Sequence, residues 1–93
     1  MRIEVARSGG FAGLIRRAEV ETAGRPDAAR LEALARTALA DARGTTLRPV
    51  VPDGFVYRVS VDGEPFRCAD PHVTPAQRAL VQAVLEQGVA DAG

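Results

Sequence analysis

The reactive side chains of this 93-residue sequence are few: one histidine, one cysteine and twelve dispersed carboxylates. His72 follows Pro71 in a loop segment, and a single imidazole cannot form a His-x-x-x-His zinc pair. A Ser-His-Asp arrangement would need two partners brought from distant segments. A lone loop histidine reads as a surface residue. Cys68 sits in an alternating segment on the apolar side, where a thiol is an inert small hydrophobe and not a nucleophile. With no second cysteine, no intrachain disulfide can form, and nothing points to an oxidising compartment. Asp53 and Asp62 each precede a glycine, where turn chemistry accounts for them. Gly9-Gly10-x-x-Gly13 has the glycines of a phosphate cradle but neither a helix start nor a lysine behind it. These residue types exclude an enzyme, and no cofactor or metal site is expected.

The segments around these residues read as alternating strands and periodic helices. Met1 to Arg7 places Ile3 and Val5 on one side and Arg2, Glu4 and Ala6 on the other, the period-two pattern of a half-buried strand. Leu14 to Glu21 repeats the pattern with Leu14, Ala18 and Val20 inward. Arg16 interrupts that inward side, which suggests a twist or bulge near the loop. Pro26 suits the first turn of a helix. Leu31, Leu34, Ala35, Ala38, Leu39 and Ala42 then follow at one-face spacing, so a helix is expected over Pro26–Arg43 with Gly44 as its stop. Thr45 to Pro52, carrying Leu47, Val50 and Val51, is expected to drape over the core.

The cleanest strand runs from Phe55 to Val61, and Asp62-Gly63 is a two-residue hairpin signal. Counting back from that turn opposes Val61 to Glu64, Val59 to Phe66 and Tyr57 to Cys68. Opposed residues share a face, so Phe66 and Cys68 join the apolar layer. Thr74-Pro75-Ala76-Gln77 opens a last helix over Pro75–Gln87 as a capping box, with Leu80, Val81, Val84 and Leu85 as its buried stripe. Residues 1–93 thus form one α+β domain: a four-stranded, mostly antiparallel sheet in ββαββα order, with both helices on one face. The other face would carry Arg2, Glu4, Arg17, Glu19, Arg58, Ser60 and Arg67 and stay open to solvent.

Composition narrows the function further. Twelve arginines, with no lysine, balance the twelve acids to a formal net charge of zero. Acids and arginines interleave in nearly every segment, which argues against nucleic acid as a partner. No stretch is long or apolar enough to span a bilayer, and the first residues lack the apolar run of a secretion signal. A cytoplasmic location and no membrane partner are the expectations.

What remains is binding, and the most informative segment is the glycine-dense Arg7-Ser8-Gly9-Gly10-Phe11-Ala12-Gly13-Leu14. Glycine is favoured where the backbone takes positive φ or must be approached closely. A large ring among three glycines is either a core anchor beneath a structural turn or a group presented outward.

Arg-Ser-Gly-Gly-Phe-Ala-Gly after a short N-terminal strand, followed by Arg16-Arg17, resembles the start of the emfourin family. Pro52-Asp53-Gly54-Phe55-Val56-Tyr57 is similar to that family's Asp-x-Phe-x-Tyr strand entry, and the Leu-rich final helix is similar to its C-terminal end. Ala18 departs from the pattern, which would place a Trp after the arginine pair. The resemblance implies a small bacterial inhibitor of protealysin-like metalloproteases of the thermolysin group. Such proteases prefer a bulky apolar side chain after the scissile bond. Ser8, Gly9, Gly10, Phe11, Ala12, Gly13, Leu14 and Arg16 are therefore the candidate partner-binding residues, acting by occupying the cleft, and a monomer is expected. A small non-catalytic interaction module with an unrelated protein partner is the alternative, and the arginine-bearing sheet face is the competing surface.

Overall fold

The computed structural model describes residues 1–9, 15–43, 54–70 and 72–90. The alternating segments become β1 (Arg2–Gly9), β2 (Arg16–Glu21), β3 (Phe55–Val61) and β4 (Glu64–Ala69), and the periodic ones α1 (Ala28–Arg43) and α2 (Pro75–Gln87). The sheet is antiparallel throughout and ordered β4-β3-β1-β2, and a two-residue strand, β5 (Val89–Ala90), extends it beyond β2. The ββαββα order and the four-stranded layout follow the sequence reading. The fifth strand is an addition to it, laid against Ala18 and Glu19 after α2 ends.

The turn at Asp62-Gly63 fixes the β3–β4 register as expected: Val61 opposes Glu64, Val59 opposes Phe66 and Tyr57 opposes Cys68. Both turn residues take positive φ, 50° and 83°, as a type I′ hairpin turn requires. Tyr57, Val59, Val61 and Cys68 are buried and Phe66 half-buried against them. The two hairpins meet through β1 and β3, where Ile3 opposes Val61 and Val5 opposes Val59.

Both helices cover this layer. α2 buries the expected Leu80, Val81, Val84 and Leu85, together with Gln77. α1 buries Leu31, Ala35 and Ala38, with Leu34 partly buried against the same core. The small Ala35 and Ala38 are fully enclosed. α1 also lies against α2, and each helix reaches across the sheet: α1 contacts β4, while α2 contacts β2 and β1. α1 starts two residues after Pro26 because Arg25 and Asp27 close a turn of their own, Nε to Oδ1 at 2.9 Å. The Asp27 carbonyl then accepts the first helical N–H, from Leu31 at 3.0 Å.

The capping box forms as read. The Thr74 hydroxyl accepts from the Gln77 N–H at 3.2 Å, and the Gln77 side chain accepts from the Thr74 N–H at 3.0 Å. The same Thr74 hydroxyl donates to Asp41 of α1 at 2.7 Å, and the Gln77 amide donates to the Ala38 carbonyl at 3.3 Å. These bonds satisfy the buried Gln77, whose amide would otherwise be costly to enclose. An ion pair between Arg43 and Glu64 ties the end of α1 to the start of β4. The β1–β2 loop over 10–14 and the 45–52 connection lie outside the described residues, as does Asp53.

Candidate functional site

Cys68 and His72 lie where the sequence places them, one in the apolar layer and the other at the surface. Cys68 is a free thiol with 8% of its surface exposed. Burial, followed by the nearby Asp70 carboxylate, pushes its pKa from about 9 to about 11. It is therefore a protonated core residue at neutral pH. His72 is exposed, and its backbone N–H is bonded to the Ala69 carbonyl at 2.8 Å. Among the described residues no group of three or more His, Cys, Asp or Glu side chains could hold a metal ion, and no helix is long and apolar enough to cross a membrane.

Of the candidate partner-binding residues, Ser8, Gly9 and Arg16 are described; Gly10, Phe11, Ala12, Gly13 and Leu14 lie outside the described residues. Ser8 and Gly9 continue β1, opposite Val56 and Phe55. Gly9 has φ of 94°, and a Cβ there would stand 2.8 Å from the Gly54 carbonyl oxygen. A side chain at this position would push on the Gly54 backbone just ahead of β3, so packing inside the fold already accounts for the first glycine of the cluster.

The end of the sheet nearest the loop is braced on the helix side. The Arg7 guanidinium lies 4.5 Å from the Phe55 ring centroid, and the Phe55 and Tyr57 rings sit 6.3 Å apart at 52°. Asp70 accepts from the Phe55 N–H at 3.2 Å and from Arg78 at 3.0 Å, and its own N–H donates to the Phe55 carbonyl at 3.0 Å. Burial, with Asp70 adding to it, raises the pKa of the Tyr57 hydroxyl above its ordinary value.

Arg16 corrects one expectation. The β1–β2 register runs without interruption to Arg7 opposite Arg16, so the strand has no bulge there. Arg16 instead extends toward α2, and its guanidinium donates to the Leu85 carbonyl at 2.8 Å. That oxygen is among the last four of the helix, which lack partners inside it, and a cation there also faces the negative end of the helix dipole. A long side chain can sit on an apolar face in this way by carrying its charge to the rim.

Ile15, just before β2, is 60% exposed and is the exposed large hydrophobic residue among those described. Alternation from Arg17 places it on the open face of the sheet, beside Ser8 and Val56. Further along the same face, a hollow of about 910 Å³ is lined by Arg2, Glu4, Ala6, Arg17, Arg58 and Arg67 among others. Its charges are sorted by row. Arg67 opposes Arg58, Arg58 opposes Ala6, and Ala6 opposes Arg17. The next row toward the Asp62-Gly63 turn holds Ser60, Glu4 and Glu19, and both carboxylates are bridged by Arg2, at 3.2 Å and 2.6 Å. Interleaving in the sequence thus becomes segregation in the sheet, something visible only once the registers of β1 with both β2 and β3 are known.

With this geometry in hand, comparison with known families gives one result: the emfourin family model matches residues 5–85. The chain belongs to the emfourin family, and membership supports a metalloprotease-inhibitor role without catalysis of its own. No curated protein and no solved structure matches the chain.

Proposed function

We propose that the chain inhibits a protealysin-like zinc metalloprotease by occluding its active-site cleft. The observation that carries this reading is the family match over residues 5–85. The β1–β2 loop, Ser8 to Leu14 with Arg16 beyond it, is the inserting element. Phe11 is the group offered to the apolar pocket that receives the residue after the scissile bond. Burying one ring contributes about 1.5–3 kcal/mol, so flanking contacts must contribute the rest. The exposed Ile15 at the margin of the loop supports this reading. The inhibitor acts as a monomer in the cytoplasm, and it needs neither a metal nor a reactive side chain of its own.

The test is titration of the purified protein against a protealysin-like protease with a peptide substrate. Stoichiometric loss of activity, competitive with substrate, is the expected result. Full activity at a large excess of the protein would refute the proposal and leave an interaction module with another partner.

A further inference from the structure

Cross-strand neighbours of like charge destabilise a sheet, yet this one has two directly opposed arginine pairs. In the first, on the helix side, Arg7 and Arg16 both find partners within the fold: the Phe55 ring and the Leu85 carbonyl. The second pair, Arg58 and Arg67, is exposed on the open face, and neither meets a carboxylate among the described residues. Arg17 extends the same row and is likewise exposed and unpaired among the described residues. The acids nearest in the sheet, Glu4 and Glu19, are already engaged by Arg2.

Strand spacing sets the scale of this row. Neighbouring strands lie about 4.8 Å apart, so Arg58 and Arg17 leave the backbone about 10 Å apart. Between them lies Ala6, whose methyl group leaves an open notch flanked by two guanidiniums. Such a notch admits a carboxylate from outside, with each guanidinium able to offer a pair of parallel N–H donors. The row borders Val56 and Ile15, so its apolar flank continues toward the β1–β2 loop.

We propose that this arginine row is a second docking element for the target protease, seating a carboxylate of the cleft rim over Ala6 between Arg17 and Arg58, with Arg67 adding to its attraction. The inference rests on the inhibitor reading. Nucleic acid fits less well, because the paired Glu4 and Glu19 lie one row away and the chain carries no net positive charge. A second copy of the chain would bring arginine against arginine when the same rows meet.

The experiment compares the wild type with a triple variant, Arg17→Gln, Arg58→Gln and Arg67→Gln. A control variant, Arg30→Gln with Arg36→Gln, removes charge from α1. Inhibition and association rates are measured from about 0.1 M to about 1 M salt, over which the screening length falls from about 10 Å to about 3 Å. The triple variant is expected to associate about tenfold or more slowly at low salt and to lose most of the salt dependence. Its melting temperature should hold or rise, since a like-charge pair is relieved, while the control inhibits as the wild type does. A folded triple variant with wild-type rates and salt dependence would overturn the docking row alone. A wild type that does not inhibit overturns both this inference and the function it rests on. Binding of short duplex DNA by the wild type, lost in the triple variant, would reassign the row to phosphate and overturn the protease contact.

Discussion

The Arg16 guanidinium donates to the Leu85 carbonyl at 2.8 Å, fastening the strand that leaves the glycine loop to the C-terminal turn of α2. The contact joins residues far apart in the chain and is the one hydrogen bond described between the β1–β2 hairpin's loop end and that helix. Arg16→Ala should lower stability by about 1 kcal/mol, below the roughly 1.5–3 kcal/mol usual for a charged donor because the side chain is largely exposed. For a domain of this size that is a melting-temperature drop of about 4–8 °C. The inhibition constant, measured well below the melting temperature, should weaken less than for Phe11→Ala, since this donor is already held by Leu85.

Phe11→Ala is the decisive substitution for the loop. If the ring enters the protease cleft, the variant keeps its melting temperature while the inhibition constant rises about tenfold or more. If the ring closes the core instead, the same change costs about 3–5 kcal/mol of stability, and inhibition falls only as the protein unfolds. Thermal melting and inhibition measured on one sample separate these outcomes.

Cys68 should resist alkylation in the native protein at pH 8, because burial pushes its thiol to about 11. The unfolded thiol ionises near 9, so its effect on stability is absent below pH 9. Between pH 9 and 11 the unfolded chain releases the proton that the folded chain retains, and stability falls through that window. Urea denaturation at pH 8, 9, 10 and 11 tests the sign, with Cys68→Ala expected to flatten part of the decline.

Gly88→Ala probes the junction between α2 and the last strand. Gly88 has an ordinary negative φ of −77°, so backbone strain is not the issue. A Cβ there would stand 2.5 Å from the Val84 carbonyl oxygen and 2.7 Å from that of Glu19. Space alone forbids it, and overpacking of this kind costs about 1–3 kcal/mol. Hydrogen exchange should show the β2–β5 pairing lost before the rest of the sheet.

The parts of the fold legible in the sequence were those encoded locally. Asp62-Gly63 dictated the β3–β4 register because a two-residue turn permits only one, and Thr74-Pro75-x-Gln77 marked the start of α2 to the residue. Val89–Ala90 was not legible, since two residues carry no period and their pairing depends on Gly88 passing close to β2. Arg16 misled because alternation reports where a side chain begins, not where a long one ends. The sorting of charge on the open face was hidden for a different reason. Arg17, Arg58 and Arg67 come from three strands, and Arg17 joins the Arg58–Arg67 pair only through Ala6, in the β1–β2 and β1–β3 registers together. The loop residues from Gly10 to Leu14 were singled out by composition and resemblance.

Because β1 is paired to β3 at the middle of the sheet, with Ile3 opposite Val61, β1 must wait for a strand that follows it by more than forty residues. The helices deepen that dependence, since α1 lies on β4 and α2 on β2. Neither ββα half can close a core from its own residues, and a ribosome must release nearly the whole sequence before the apolar layer is sealed. Such non-local pairing makes folding slow for a chain of this length, and the halves produced as separate polypeptides should stay unstructured until mixed.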